Sequence, residues 1–447
     1  MTLPLFGHQQ TSIDFGKDLP AVFDTSDPGT GKTRVYIELL QVHAGKTLVV
    51  CPKSLMRPAW AADIKKFAPH LITSIAYATN RDAAFQANAD VYITNHDAAV
   101  WLAKQHPSFF REFTKLIIDE SGAFKHSTSM RSKAMLKIAK HFKYRYGLNG
   151  TPNPNTITDI WHQIKILDDG KHLGPVFFAF RNSVCTPKQV GPQPNMVKWE
   201  DRPGAHEAVS ILIKDMTVRH KFEECLSIPE NFEYTMAYNM PPKQKKAYDQ
   251  MAVAEVAALP TGVVSAINAA AVMTKLLQIA SGAVYETSDK YHVIDRERYE
   301  MILDLIEERQ HSITFFLWKH QRDLLTEEAR KRGVSYAIID GTVPEKERTE
   351  IVRRYQQGMY KVLFAHPQSA AHGLTLTKGT TTIWASPTYN LEHFQQGNRR
   401  IYRAGQTQRT ETIVVLAEDT CEQKVYDALM NKNVRMATLL NLMKELK

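Results

Sequence analysis

Short runs of apolar and β-branched residues alternate along the chain with longer stretches whose apolar positions recur every three to four residues. That alternation predicts parallel strands interleaved with helices, an α/β architecture. In the first half the strand-like runs are Thr47 to Cys51, Asp90 to Thr94, Leu116 to Ile118 and Arg145 to Leu148. In the second half they are Ser312 to Leu317, Ser335 to Ile339, Lys361 to Ala365 and Thr381 to Ala385. Strands of a parallel sheet are covered on both faces, so they read as nearly continuous apolar runs. Each run gives way to a polar or Gly/Pro segment, the end at which such sheets collect ligands. Two sets of runs predict two lobes.

Between about Asn153 and Gln310 the strand pattern fades. Gly191-Pro192-Gln193-Pro194 and Arg202-Pro203-Gly204 read as loops, and Pro241 to Gly282 reads as helix around a Leu259-Pro260-Thr261-Gly262 turn. The lobe boundary is expected near residue 225, giving lobes 1–225 and 226–447, each with a helical insertion. At the far end Val425, Leu429, Leu439, Leu442, Met443 and Leu446 stand at helical spacing, which predicts a docked terminal helix that could also receive a protein partner.

Composition narrows the class. With 43% hydrophobic residues in 447 there is material for a core in each lobe. The 56 Lys+Arg against 47 Asp+Glu leave +9, spread along the chain, which permits a polyanionic partner without identifying one. Four cysteines, Cys51, Cys185, Cys225 and Cys421, have neither zinc spacing nor a disulfide pattern, so a reducing, intracellular (cytoplasmic) setting is expected. The first residues show no secretory signal pattern. Glu255, Pro260, Gly262 and Asn268 interrupt the most apolar long stretch, so no membrane span is expected.

Three clusters carry chemistry. Asp27-Pro28-Gly29-Thr30-Gly31-Lys32-Thr33 follows Val22-Phe23 and precedes a helix-forming run to Leu40. Its glycines let backbone N–H groups approach phosphate oxygens, Lys32 suits the β- and γ-phosphates, and the Thr33 hydroxyl suits Mg²⁺. ATP and Mg²⁺ are therefore the expected cofactors, with Asp27, Gly29, Thr30, Gly31, Lys32 and Thr33 at the binding loop. Ser26 opens the loop where glycine or alanine is usual. Asp119-Glu120 stands at the carboxyl end of the Leu116 to Ile118 run, where Asp119 would hold Mg²⁺ through water and Glu120 would polarise the attacking water. Arg400 and Arg403, flanked by Gln396 and by Gly405-Gln406, are spaced to face one way from a helix and to bring positive charge to a γ-phosphoryl group held by the other lobe.

These motifs, in this order, resemble a superfamily II helicase of the Swi/Snf-like branch over nearly the whole chain. The resemblance implies two tandem RecA-like lobes. It makes Gln9, in Leu5-Phe6-Gly7-His8-Gln9, the reader of adenine. Cys51-Pro52-Lys53-Ser54-Leu55 with Trp60 resembles the segment that touches the DNA backbone, and Leu148-Asn149-Gly150-Thr151-Pro152-Asn153 the motif coupling the ATP and DNA sites. Asp119-Glu120-Ser121 through Lys125 resembles the family's Asp-Glu-Ser-His form, with Gly122 in place of histidine. Asp340-Gly341-Thr342 with Arg348 resembles a second-lobe signature. Gly373-Leu374-Thr375-Leu376-Thr377 resembles the nucleic-acid-contacting motif, and Gln396 to Gln406 the family's arginine motif, with Arg399 where Asp is frequent.

Lys53, Ser54, Asn95, Thr151, Gly373, Leu374 and Thr375 are accordingly the expected DNA contacts. Coupling between lobes is expected to run through Asn149 or Gln396, given Gly122. The motif forms are nearest to annealing and fork-remodelling members, and the chain reads as a compact motor of bacterial or phage type. The expectation is an ATP-dependent translocase on double-stranded or branched DNA with weak sequence preference, since gripping phosphates positions without reading bases. No strand-peeling pin is visible in the sequence. Two other readings fit the same residues: a strand-separating helicase on single-stranded DNA or RNA, and a nucleotide-gated DNA-binding subunit of a repair or restriction assembly.

Overall fold

The computed structural model describes residues 4–153, 155–191, 193, 196–225, 228–257, 266–288, 290–370 and 374–445. The chain forms two compact units, Met1–Ser227 together with Lys432–Lys447, and Ile228–Asn431.

The first unit is built on a seven-stranded sheet. Its strands are β1 (Ala21–Asp24), β2 (Lys46–Cys51), β3 (Thr73–Ala76), β4 (Val91–Asn95), β5 (Phe113–Asp119), β6 (Tyr144–Leu148) and, after a small two-stranded ribbon of β7 (Cys185–Gln189) and β8 (Val197–Asp201), β9 (Thr217–Val218). The order is β3-β4-β2-β5-β6-β1-β9, parallel throughout. The period-two geometry of a strand divides β2 between two cores. Val49 and Cys51 pack with Tyr36, Ile37 and Trp60 on one face, and Leu48 and Val50 pack with Leu102, Met135 and Ile138 on the other. Helices thus cover both faces of the sheet, as parallel pairing requires.

The second unit carries β10 (Asn231–Tyr238), β11 (Ala283–Tyr285), β12 (Tyr291–Val293), β13 (Ser312–Phe315), β14 (Tyr336–Ile339), β15 (Val362–Ala365), β16 (Thr381–Trp384) and β17 (Thr410–Ala417). Six of them form a parallel sheet ordered β10-β17-β16-β13-β15-β14, while β11 and β12 pair separately as an antiparallel ribbon. Helices Pro242–Ala257 and Ala266–Ala280 form the expected helical insertion, and the turn predicted at 259–262 lies outside the described residues. The terminal helix is Cys421–Glu445. Val425 and Leu429 are buried on it, whereas Leu439, Leu442, Met443 and Leu446 fall outside the described side chains.

All eight expected strands form, and the sequence pattern passed over several others. β3 opens on the polar pair Thr73-Ser74, β9 has two residues, and β10 alternates apolar with polar residues at a sheet edge, so none presents a continuous apolar run. β17 was equally missed, although Ile413 to Ala417 is as apolar as the strands that were recognised. Of the stretch read as a loop around Gly191, Gly191 and Gln193 fall between β7 and β8, and 192 and 194 lie outside the described residues.

Among the described residues no helix is long and apolar enough to cross a membrane, and no group of three or more His, Cys, Asp or Glu could hold a metal ion. All four cysteines are free.

One ion pair ties the second sheet to its helices. Arg298 and Glu422, 1% and 0% exposed, meet through two bonds of 2.9 and 2.6 Å. Glu422 also accepts from the Ala417 N–H (2.7 Å), and Arg298 donates to the Ala385 carbonyl (3.0 Å). The helix Glu297–Glu307, the ends of β16 and β17 and the terminal helix are thereby joined at one point. Removing one partner strands a buried charge, so Arg298→Met should lower stability by about 3–5 kcal/mol. Urea denaturation checks this, and Arg298→Met combined with Glu422→Leu should recover much of the loss.

Candidate active site

The glycine loop joins β1 to the helix Lys32–Val42. Gly29 and Gly31 have φ of 90° and 81°, the left-handed region that glycine enters without a steric penalty. A Cβ on Gly31 would also fall 2.5 Å from Gln9 Nε2. Side-chain-free backbone therefore lines the mouth of the loop at the N-terminus of an eleven-residue helix whose first turn holds no acidic residue. The uncompensated N–H groups and the positive end of that dipole suit an anion. Lys32 Nζ lies across the loop, donating to the Ser26 (2.5 Å) and Asp27 (3.1 Å) carbonyls, with Thr33 half-buried beside it. These residues fit the phosphates of a nucleotide.

Two expected loop residues serve the loop itself. Gln9 accepts from the Phe6 N–H (3.0 Å) and donates to the Gly31 carbonyl (3.4 Å), so its amide is spent on local structure. Asp27 turns its carboxylate away, to Arg219 Nη1 at 2.7 Å and the Phe222 N–H at 2.9 Å. Around it, Arg219 donates to the Thr25 carbonyl (2.6 Å), the Asp27 N–H donates to the His220 carbonyl (3.0 Å), and the His220 N–H donates to Ser26 Oγ (3.1 Å). The segment after β9 is thus a brace for the glycine loop from nearly two hundred residues downstream. Nothing in the local sequence announced Arg219, because its partners are distant in the chain.

At the end of β5, burial pushes the Asp119 carboxyl above its ordinary range, opposed by the Trp60 hydrogen bond, the Lys32 charge and the Glu120 N–H. Trp60 Nε1 donates to Asp119 Oδ2 at 2.9 Å, and the Glu120 N–H donates to Oδ1 at 3.0 Å. Trp60 was expected near the DNA backbone. It is instead fully buried and orients the carboxylate. His96 Nε2 meets the Asp119 carbonyl at 2.8 Å. Burial drops the His96 pKa to about 4, so near neutral pH the ring is uncharged and Nε2 carries the donated proton. Glu120 adopts φ 51°, an uncommon left-handed conformation for a residue with a side chain, which sets the direction in which its carboxylate leaves the strand.

Beyond Glu120 the sequence reading missed a central residue. Gln163, on the helix Asp159–Asp168, is 1% exposed. Its Oε1 accepts from Ser121 Oγ (2.9 Å) and Asn149 Nδ2 (2.6 Å), and its Nε2 donates to the Pro152 (2.8 Å) and Asp159 (2.9 Å) carbonyls. Asn149 in turn receives the Thr151 N–H at 3.0 Å and donates its own N–H to the Asp24 carbonyl at 2.9 Å. One carboxamide therefore links the Asp119-Glu120 turn, the 149–152 loop and the end of β1. A Cβ at Gly122 would stand 3.0 Å from Asn149 Nδ2, so a histidine there would crowd this network. Thr151, expected as a DNA contact, is buried and held by Asn149. Lys53 and Ser54 follow the end of β2 and Asn95 closes β4, all with greater exposure, Asn95 bonding Arg81 (3.3 Å) and Asp97 (3.3 Å).

In the second unit Gln396 lies buried on the helix Leu391–Asn398. That helix ends before Arg400 and Arg403, so the expected helical spacing does not orient them. They converge all the same, because both donate to the Leu374 carbonyl, at 3.3 and 2.7 Å. Gln406 caps the Thr377 (3.2 Å) and Gly379 (2.9 Å) carbonyls of the same loop. Leu374 is buried, Thr375 is half-buried, and Gly373 lies outside the described residues. Asp340 holds its own turn through Thr342, and Arg348 donates to the Val343 carbonyl (3.2 Å).

A family model for the SNF2-related domain matches residues 23–283, and one for the helicase conserved C-terminal domain matches residues 297–405. The chain belongs to the SNF2-related family, the Swi/Snf-like helicases, and carries a helicase conserved C-terminal domain after it, with a parallel sheet flanked by helices in each of its two units. It is 27% identical over 442 residues to putative protein p41 of Acyrthosiphon pisum secondary endosymbiont phage 1, covering 93% of each chain. It is 24% identical to the mouse (Mus musculus) DNA annealing helicase and endonuclease ZRANB3, over 93% of this chain and 39% of that protein. It is 25% identical to the SWI/SNF-related matrix-associated actin-dependent regulator of chromatin subfamily A-like protein 1 of Xenopus tropicalis, over 91% and 42%. The chain thus spans less than half the length of these two animal relatives. Among solved structures, the Sulfolobus solfataricus SWI2/SNF2 ATPase core in complex with dsDNA aligns with a TM-score of 0.46 at 19% identity, covering 99% of this chain and 95% of that one.

Two substitutions test the site. Trp60→Phe keeps an aromatic ring and removes one donor from a half-buried carboxylate, worth about 1–3 kcal/mol, so steady-state ATP hydrolysis should fall about tenfold with the fold intact. Gln163→Leu leaves Ser121 and Asn149 without their shared acceptor, and urea denaturation should show a loss of about 1–3 kcal/mol for each orphaned group.

Proposed function

We propose that the chain is an ATP-driven translocase on double-stranded or branched DNA, acting inside a cell to regress forks, migrate branches or anneal strands. The observation that carries this reading is the Leu374 carbonyl, gripped by both Arg400 and Arg403. In this reading the guanidiniums that serve the γ-phosphate also anchor the loop that meets DNA. A guanidinium that turns to a phosphate must loosen its hold on that loop, so a change at the nucleotide is felt at the track.

The roles follow from chemistry and position. Lys32 neutralises the β- and γ-phosphates above the glycine loop. Mg²⁺, held by the Thr33 hydroxyl and through water by Asp119, would draw charge from the transferred phosphoryl group. Glu120, aimed by its left-handed backbone, orients the attacking water. Arg400 and Arg403 stabilise charge as it develops on the γ-phosphoryl, with Gln396 beside them. Lys53, Ser54, Asn95 and Thr375 hold DNA through its backbone, and Gln163 passes strain between the 149–152 loop and the Asp119-Glu120 turn. A relative named as a DNA annealing helicase supports DNA as the track.

Lys32→Ala should abolish hydrolysis. Arg403→Ala should keep ATP binding and lose about three orders of magnitude in turnover. Hydrolysis measured with duplex, forked, single-stranded DNA and RNA should rank duplex or fork first, and RNA as the best activator would overturn the choice of track.

A further inference from the structure

The β7–β8 ribbon belongs to neither sheet, and an isolated two-stranded ribbon has little stability of its own. What it carries is unusual for a connection. The Arg181 guanidinium lies 3.7 Å from the centre of the Trp199 ring and 5.1 Å from that of Phe178, with Phe177 5.9 Å away. Despite five N–H donors, the Arg181 guanidinium makes no hydrogen bond or ion pair among the described residues, and its Nε is buried without a partner. Arg202 beside it spends only Nε, on the Cys185 carbonyl at 3.1 Å. Phe178 is 63% exposed.

The ribbon's other face is cationic as well. Lys188 and Lys198 stand directly opposite one another in the ladder, a like-charge pairing that costs stability, and both share the single carboxylate of Glu200 at 3.6 and 3.5 Å.

Unspent guanidinium donors stacked on aromatic rings, next to an exposed ring, are the elements that grip an unpaired nucleic-acid strand. The planar donors take phosphate oxygens and the ring takes a base face, whatever its sequence. We propose that the helix Phe177–Val184 and the β7–β8 ribbon form a second DNA surface that receives the unpaired strand of a branched substrate. Arg181 and Arg202 hold its phosphates, Phe178 stacks a base, and Lys188 and Lys198 add to the attracting field. The surface rests on the DNA-motor reading and deepens it, because it supplies an element able to tell a branch from a plain duplex. Neither the proposed nucleotide residues nor the proposed backbone contacts take part in it.

The test uses the full chain and three fluorescein-labelled probes: a fork with two thymidine arms, a blunt duplex of the same paired length and a thymidine single strand. Anisotropy titrations at several fixed salt concentrations are run with Phe178→Ala, Arg181→Gln and the double variant Lys188→Gln, Lys198→Gln. Phe178→Ala and Arg181→Gln should weaken fork and single-strand binding about tenfold, the scale of one base–aromatic contact, while leaving blunt-duplex binding and duplex-stimulated ATP hydrolysis unchanged. The lysine variant should weaken the same two probes and flatten their salt dependence. The exposed Phe178 and lysine positions keep the test valid even if Arg181→Gln disturbs the ribbon. Unchanged fork binding by Phe178→Ala, or equal weakening for fork and duplex, would sink the surface while leaving the motor standing. A wild-type chain whose hydrolysis no DNA stimulates would bring down the motor and this surface together.

Discussion

A carboxylate at the carboxyl end of a buried strand is the constraint around which the first lobe is arranged. Asp119 ends β5 half-buried, where a charge without donors is costly. Its surroundings answer that cost from several directions: the indole N–H of Trp60, the Glu120 N–H, the Lys32 ammonium nearby, and His96 on its carbonyl. Trp60 and Lys32 come from distant parts of the chain, so satisfying one carboxylate draws the segment after β2 and the glycine loop to one place, while His96 ties the end of β4 to the Asp119 backbone. Satisfied donors also fix direction, and direction is what a group that must meet a metal or a water requires.

The same economy appears wherever a loop must be positioned without regular structure. The glycine loop is braced by Arg219 and the backbone of His220 and Phe222, and the 149–152 loop by Gln163. In the second unit the loop from Leu374 to Gly379 is held through its carbonyls by Arg400, Arg403 and Gln406. These are mostly hydrogen bonds from side chains to backbone oxygens. Such bonds leave the loop's own side chains available while transmitting any shift of the bracing group, which is the property a machine coupling two sites needs. A motor of this family therefore reads as rigid sheets with loops suspended from a few polar side chains, and those side chains are where nucleotide and DNA would communicate.

Legibility in the sequence followed the range of the interaction. The strands around Val49, Ile117, Ile313 and Leu363 were readable because a buried parallel strand must be apolar over its whole length. The glycine loop was readable because Gly29 and Gly31 need a backbone conformation that other residues resist. Trp60 was visible and misread, since the resemblance of its segment to one that touches DNA suggests a surface contact until its N–H is seen on Asp119. Gln163 and Arg219 went unread, one within an ordinary amphipathic helix and the other in a region whose strand pattern had faded. The helical spacing assigned to Arg400 and Arg403 was mistaken, yet the turn after Asn398 brings both to one carbonyl.

The sequence by itself determined the two α/β lobes, the glycine loop, the acidic pair at a strand end and the family these define. All of those depend on residues adjacent in the chain or repeating at a strand or helix period. Only the tertiary structure decided which way each polar group points. It turned Asp27 to Arg219, Gln9 to the loop, Trp60 to Asp119, and left Arg181 stacked on Trp199 with its donors unspent. The reason is physical: a side chain's partner is fixed by what the folded chain brings within about 3 Å of it, and that distance is set by packing far from it in sequence.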